Sequence, residues 1–149
     1  MTSIQRATVV VFSFVALASG MARAEQAKPA ESNSVSVTIK YDGKGTVDPG
    51  HKIWVWLFDS PEIGPGSVPI AEDSMAKNGG TITFPSVAST VYIAVAYDEA
   101  GGFVGQAPPP PGSPIGLYGA KGPNDKPLPV TPGPKGAVKM VFTDAQRMQ

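Results

Sequence analysis

The run Ile-Trp-Val-Trp-Leu-Phe at residues 53–58 decides the fold of this chain of 149 residues. Its β-branched and aromatic residues are the types enriched in strands. Successive side chains of a strand point to opposite faces, which puts Ile53, Val55 and Leu57 on one face and three aromatic rings on the other. Both faces are apolar. The run therefore predicts either a central strand covered on both sides or a strand that exposes its aromatic face to a ligand.

Further segments on both sides of this run show the period of two that is typical of strands; most alternate apolar with polar residues, whereas Val91, Ile93, Val95 and Tyr97 alternate with Tyr92, Ala94 and Ala96. These segments are 35–41, 81–84, 91–97 and 138–142. Val68 and Ile70 predict one more short strand, which Pro69 restricts to a sheet edge. Gly, Pro, Asn and Asp separate the segments, and no helical period appears after residue 24. The pattern predicts an all-β domain over 34–144, a single β-sandwich of about seven strands, followed by a tail at 145–149.

The segment 101–136 differs in composition from the rest of the domain. It holds ten of the 16 prolines, four of them consecutive at 108–111. Proline has no backbone amide to donate, so a regular ladder is not expected here. The composition predicts a long loop of polyproline II character before the last strand. Ile115, Leu117 and Tyr118 are expected to pin the middle of this loop to the domain.

The N-terminus has the three parts of a secretory signal peptide. Arg6 supplies a positive charge, the 13 residues 7–19 are uncharged, and Ala22-Arg23-Ala24 matches a signal peptidase site. The apolar run is shorter than the ~18–20 residues that span a membrane. We expect cleavage before Glu25, which makes 1–24 the signal peptide and 25–33 a flexible leader, with no membrane insertion afterwards.

Cysteine content and charge narrow the location and the partners. The chain has no cysteine, so it has neither disulfides nor a lipidation site, and an exported chain of this kind is typical of the bacterial periplasm or the medium. Its 12 basic and 12 acidic residues form no block of like charge. This distribution argues against binding to nucleic acids, which requires a basic stripe, and against binding to anionic membranes.

The aromatic face offers the main candidate ligand-binding residues, which are Trp54, Trp56 and Phe58. Such a stripe suits stacking on sugar rings or on a proline-rich peptide, although burial in a core is the commoner use of large aromatics. A joint hypothesis is that the proline-rich loop of the same chain lies across the stripe, with Tyr118 nearby.

Catalytic and metal-binding patterns are sparse. His51 is the only histidine, and no Gly-x-Ser-x-Gly turn accompanies it, so no catalytic residue is predicted. Asp98 and Glu99 are the candidate metal ligands, but calcium needs about 6–8 oxygen ligands. The alternative is that both are turn residues whose side chains accept hydrogen bonds from local amides. No cofactor is expected.

Several runs together resemble a known family. The runs are Ile53–Asp59, Pro69-Ile70, Thr81–Pro85, Val91–Asp98 and Gly116–Gly119. Over 35–142 they resemble the carboxypeptidase-regulatory-like, or prealbumin (transthyretin)-like, β-sandwich, and more closely the uncharacterised secreted bacterial proteins of this type. The resemblance implies a seven-stranded, non-catalytic accessory or binding module. The hydrolases of this fold need several histidines and an arginine, whereas the chain after residue 24 has one histidine and one arginine, Arg147.

The sequence therefore predicts an exported, non-enzymatic β-sandwich that serves as an accessory or binding domain for an envelope protein or glycan. Two alternatives remain open: a small secreted hydrolase or metal-dependent enzyme, and a structural component of the envelope. No sequence feature names the ligand or the number of subunits.

Overall fold

The structure, a computed structural model, describes residues 33–105 and 108–149. Seven strands and no helix occur in these ranges. The strands are β1 (Val35–Tyr41), β2 (Ile53–Phe58), β3 (Ala71–Met75), β4 (Thr81–Phe84), β5 (Tyr92–Tyr97), β6 (Ile115–Leu117) and β7 (Ala137–Phe142). The all-β prediction is confirmed. The predicted signal peptide and the leader up to Ser32 lie outside the described residues.

The strands form two sheets that pack on each other. One sheet has the order β4-β1-β7 and the other β3-β2-β5-β6. Pairing is antiparallel throughout except between β1 and β7, which run parallel with Val37 opposite Val138. Of the two alternatives that the sequence left open for β2, the structure shows the central strand, since β3 and β5 flank it. The edge strands β6 and β7 lie on the same side of the molecule and contact each other.

The core between the sheets takes one face from each of them. Val35, Val37 and Ile39 of β1 meet Ile53 and its inward-facing partners on β2 in a single buried cluster. Full burial of a valine or isoleucine side chain contributes about 1.5–3 kcal/mol. The alternation of apolar and polar residues in β1 is therefore what fixes which face of that strand points inward.

The prediction of a short strand at Val68 and Ile70 is wrong. Both side chains are exposed, and the edge strand begins one residue later, at Ala71. The Ile70 amide still donates to the Leu57 carbonyl (2.8 Å), but Pro69 has no amide to continue a ladder. In β3 only Met75 is buried, so this edge strand carries almost no hydrophobic alternation for sequence reasoning to detect.

The proline-rich segment is more ordered than the sequence predicted. Its proline-free centre, Ile115–Leu117, forms β6 on the free edge of β5. Val130, further along, forms an isolated bridge with Val91. The predicted tail also pairs: the Ile115 amide donates to the Gln146 carbonyl (3.0 Å), and the Met148 amide donates to the Ser113 carbonyl (2.9 Å). The expectation of a long loop without a ladder is therefore wrong over these residues.

Within the described ranges, no helix is long and apolar enough to cross a membrane.

Candidate functional site

The aromatic stripe of β2 is covered by the chain itself. Trp56 is 2% exposed and Phe58 5%, and they form a second apolar cluster with the small residues Ala94 and Ala96 of β5. Phe103 lies over this cluster, with its ring centre 5.4 Å from that of Trp54 in an edge-to-face contact. The two buried rings are therefore not displayed as a stacking surface for an external ligand.

The covering segment is the first part of the proline-rich stretch, residues 103–105. The Trp56 indole donates to the Gly105 carbonyl (3.1 Å), which fixes the segment on the stripe. Trp54 is only partly buried, and its indole nitrogen is enclosed without a hydrogen-bond partner among the described residues. The hypothesis that the proline-rich loop lies across the stripe therefore agrees with the structure for these residues.

Tyr118, by contrast, lies on the other face of its sheet. Ile115 and Leu117 pack against the aromatic cluster, whereas Tyr118 packs against the core between the sheets. The alternation of side chains along and just after β6 explains the difference. The structure thus does not bring Tyr118 together with Trp54, Trp56 and Phe58, as the sequence had suggested.

Asp98 closes the turn that carries Phe103 into place. The residue is 4% exposed, and its carboxylate accepts hydrogen bonds from the amides of Gly101 and Phe103, both at 2.9 Å. Glu99 points elsewhere and pairs with Arg147 at 2.6 Å. The two candidate metal ligands are therefore engaged separately. No group of three or more His, Cys, Asp or Glu side chains within 33–105 and 108–149 is arranged to hold a metal ion.

His51 belongs to a tight turn before β2. Asp48 accepts hydrogen bonds from the His51 amide (2.8 Å) and the Gly50 amide (2.8 Å), and its carboxylate lies 3.0 Å from the His51 ring nitrogen Nδ1. The hydrogen bond from His51 lowers the pKa of Asp48 below its ordinary value. Each contact is local to the turn, and together they set the entry of the chain into β2.

An open groove of about 180 Å³ lies elsewhere, between the edge strands β6 and β7. Its lining residues are Ile115, Gly116, Leu117, Ala120, Lys121, Met140, Val141, Phe142, Thr143, Ala145 and Gln146. The lining combines apolar side chains with backbone and side-chain polar groups, and Lys121 is its one ionisable residue. This groove is the candidate functional site, because it is a concave surface that presents apolar side chains and polar groups together.

A network around Asp144 holds the wall of the groove that follows β7. The Tyr41 hydroxyl and the Lys44 amide both donate to the Asp144 carboxylate, and these bonds lower its pKa. Burial, together with the same carboxylate, raises the pKa of Tyr41. Arg147 adds a second anchor by donating to Glu99 and to the Gly112 carbonyl (2.6 Å). The segment that carries Thr143, Ala145 and Gln146 is thereby fixed on both sides.

The edge of β7 beside the groove exposes backbone groups. The Ser36 amide donates to the Gly136 carbonyl (2.9 Å), and the Asp42 amide donates to the Phe142 carbonyl (2.8 Å). In a parallel pair, alternate residues of a strand bond to the partner, so residues 138, 140 and 142 face β1. Ala137, Lys139 and Val141 consequently turn their N–H and C=O groups towards the free edge.

Sequence reasoning missed this groove because its two walls come from parts of the chain that are distant in sequence. The only local signal was Val141, an apolar residue on the polar side of an alternating strand; it is 63% exposed. Lys121 and Gln146 had no pattern that linked them to β7.

Comparison with known proteins adds no relative: no family model, no curated protein and no solved structure matches this chain.

Proposed function

We propose that this chain is an exported, non-enzymatic β-sandwich of the prealbumin-like type, and that it binds a partner protein in the groove between β6 and β7. The observation that supports the proposal best is the groove itself. It joins apolar side chains, polar groups that include a lysine, and a strand edge whose backbone groups have no partner among the described residues. Surfaces of this composition suit a polypeptide, which supplies both apolar side chains and backbone hydrogen bonds.

The covering of the aromatic stripe favours a protein over an envelope glycan. Sugar binding commonly uses an exposed aromatic ring as a platform, but Trp56 and Phe58 are buried. The large apolar side chains that are well exposed within the described ranges are all aliphatic. They are Val68, Ile70, Val104, Leu128 and Val141.

The catalytic alternative gains no support from the one histidine. A hydrolase built on His51 would need a nucleophile and an open pocket beside the ring. His51 does not line the groove, and its hydrogen-bond partner is the turn residue Asp48. Periplasmic or extracellular location is part of the proposal, and the signal peptide predicted from the sequence supports it.

The test is a binding screen of the chain from Glu25 onward against a displayed random-peptide library and a glycan array. We expect peptides to be enriched and glycans not. The groove is tested with Ala145→Trp, which fills it, and the matched control is Ala88→Trp, an exposed alanine outside the lining. Peptide binding should fall about tenfold in the first variant and stay unchanged in the second.

Enrichment of glycans alone would contradict the proposal, and so would equal peptide binding by both tryptophan variants. A chain that binds neither class would favour the structural alternative.

A further inference from the structure

We propose that β7 accepts an extended segment of the partner protein as an additional strand, and that this segment carries an acidic side chain; this mode of binding rests on the proposed function. The added strand would hydrogen-bond to Ala137, Lys139 and Val141 and lie along the mouth of the groove. This is recognition by strand addition, in which backbone bonds supply affinity and side-chain pockets supply specificity.

The free edge of β7 has hydrogen-bonding groups available for an added strand. The two bonds that bracket the β1–β7 ladder place every second residue of β7 against β1. The other three residues present three N–H groups and three C=O groups on the outer side. No described segment pairs with this side of β7, because the chain turns away after Phe142 and its end pairs with Ser113 and Ile115.

The groove beside the free edge of β7 can receive side chains of an added strand. Met140 and Phe142 point inward from β7 and contribute to the apolar lining, together with Leu117 of β6. A strand added to β7 would therefore direct alternate side chains into the groove and the others to the outer face. On the outer face these side chains would meet Val141, an aliphatic residue that is already largely exposed.

The positive charge near the free edge of β7 favours an acidic side chain in the added strand. Lys121 lines the groove, and Lys139 lies at the middle of the exposed face of β7. An acidic residue in the added strand would pair with either lysine. The β7 strand of a second copy of this chain is a less favourable partner. In a symmetric antiparallel pair of β7 strands centred on Lys139, the Lys139 side chains of the two copies would lie opposite each other and repel.

The probe is a pool of fluorescein-labelled octapeptides with Thr, Val or Ile at every position except a central Asp. Two matched pools serve as controls. One carries Lys in place of the central Asp, and the other keeps the Asp but has a methyl group on the backbone nitrogen of every second residue. Binding to the chain from Glu25 onward is measured by fluorescence anisotropy. We expect the Asp pool to bind about tenfold more tightly than the Lys pool, and the N-methylated pool to bind least, because it cannot complete the ladder.

On the protein side, Val141→Pro removes one outward N–H and leaves the bonds to β1 intact. Val141→Ala keeps that N–H. Thr83→Pro is the matched control on the opposite edge of the same sheet. The Ile39 amide donates to the Gly80 carbonyl, and alternate residues of an antiparallel strand bond to the partner strand. The Thr83 amide therefore faces away from β1, as the Val141 amide does. We expect Val141→Pro to weaken binding about tenfold, and the other two variants to bind like the unmodified chain.

Hydrogen exchange provides a readout that needs no variant. Saturation with the Asp pool should slow exchange of the Ala137, Lys139 and Val141 amides about tenfold and leave Thr81 and Thr83 unchanged. This measurement decides the matter if Val141→Pro fails to fold.

Three results would overturn strand addition: no binding of the Asp pool, unchanged exchange at β7, or a concentration-dependent dimer that Val141→Pro abolishes. If displayed peptides still bound in the groove while Val141→Pro had no effect, the proposed function would stand and only strand addition would fail. Loss of all peptide binding would contradict both the proposed function and strand addition.

Discussion

Trp56 shows at the residue scale how one side chain fixes a loop. Its ring is buried among Phe58, Ala94 and Ala96, and its indole N–H donates to the Gly105 carbonyl. Alanines at the neighbouring positions of β5 leave room for the large ring and for the segment that covers it. The packing and the hydrogen bond act together, because the same residue supplies both.

Replacement of Trp56 with alanine is expected to lower the free energy of unfolding by about 3–5 kcal/mol, because it removes a buried aromatic side chain. Trp56→Phe keeps most of the volume and removes only the donor, for an expected loss of about 1–2 kcal/mol. Thermal or urea denaturation measures both losses, and proteolysis near Gly105 reports the loosening of the loop. An unchanged melting temperature in Trp56→Ala would contradict the assigned role.

At the scale of elements, β6 and β7 determine the candidate site by their closeness. Gly116 is the inward residue of β6, and a Cβ atom there would lie 2.8 Å from the Phe142 Cβ and 3.2 Å from Val95 Cγ2. A glycine is therefore what lets β6 approach β7 over the core. The remaining space towards solvent forms the groove.

The variant Gly116→Ala is expected to lose about 1–3 kcal/mol of stability, because the added methyl group overpacks the contact between the sheets. Gly64→Ala is the control, since a Cβ there meets nothing within 4 Å and its expected change is about 0.5 kcal/mol or less. Chemical denaturation compares the two variants. Equal stability of both would show that the sheets are not closely packed at β6.

At the scale of the whole molecule, the network around Asp144 connects two distant parts of the chain. Tyr41 ends β1, Lys44 follows it, and Arg147 is near the end of the chain. Tyr41 also stacks on Tyr97 of β5 with ring centres 4.4 Å apart, so the network joins both sheets. The ionisation state of the Asp144 carboxylate should therefore affect the stability of the entire domain.

The lowered pKa values of Asp144 and Asp48 mean that both carboxylates stabilise the folded state when they are ionised. This contribution is complete above the pKa of the unfolded chain, about 3.9, and is lost as the pH falls through the lowered values. The melting temperature should accordingly decrease below about pH 4.

Asp144→Asn should lower stability at neutral pH by about 1–2 kcal/mol and reduce its dependence on acid pH. Asp59→Asn, at an exposed position, is the control. Calorimetry at a series of pH values measures both effects. An unchanged acid dependence in Asp144→Asn would assign it to other groups.

Local chemistry alone determined much of this molecule. The alternation of apolar and polar residues in β1, β4 and β7 and the apolar runs of β2 and β5 placed those strands correctly, because burial of one face imposes a period of two and burial of both faces imposes an apolar run. The two apolar faces of β2 allowed either a central strand or an exposed aromatic face, and the structure shows the first. The interpretation of Asp98 as a turn residue is also confirmed, since its carboxylate accepts two amides within its own loop.

Tertiary structure decided the rest, for reasons of contact between distant segments. Short edge strands such as β3 and β6 are held by ladder bonds to a neighbour, which impose no hydrophobic period on their own residues. The separation of Tyr118 from the aromatic stripe depended on the face that β6 turns outward. The parallel pairing of β1 with β7 and the groove between β6 and β7 join residues far apart along the chain. The sequence thus determined which faces are apolar, and only packing determined which of them stay open.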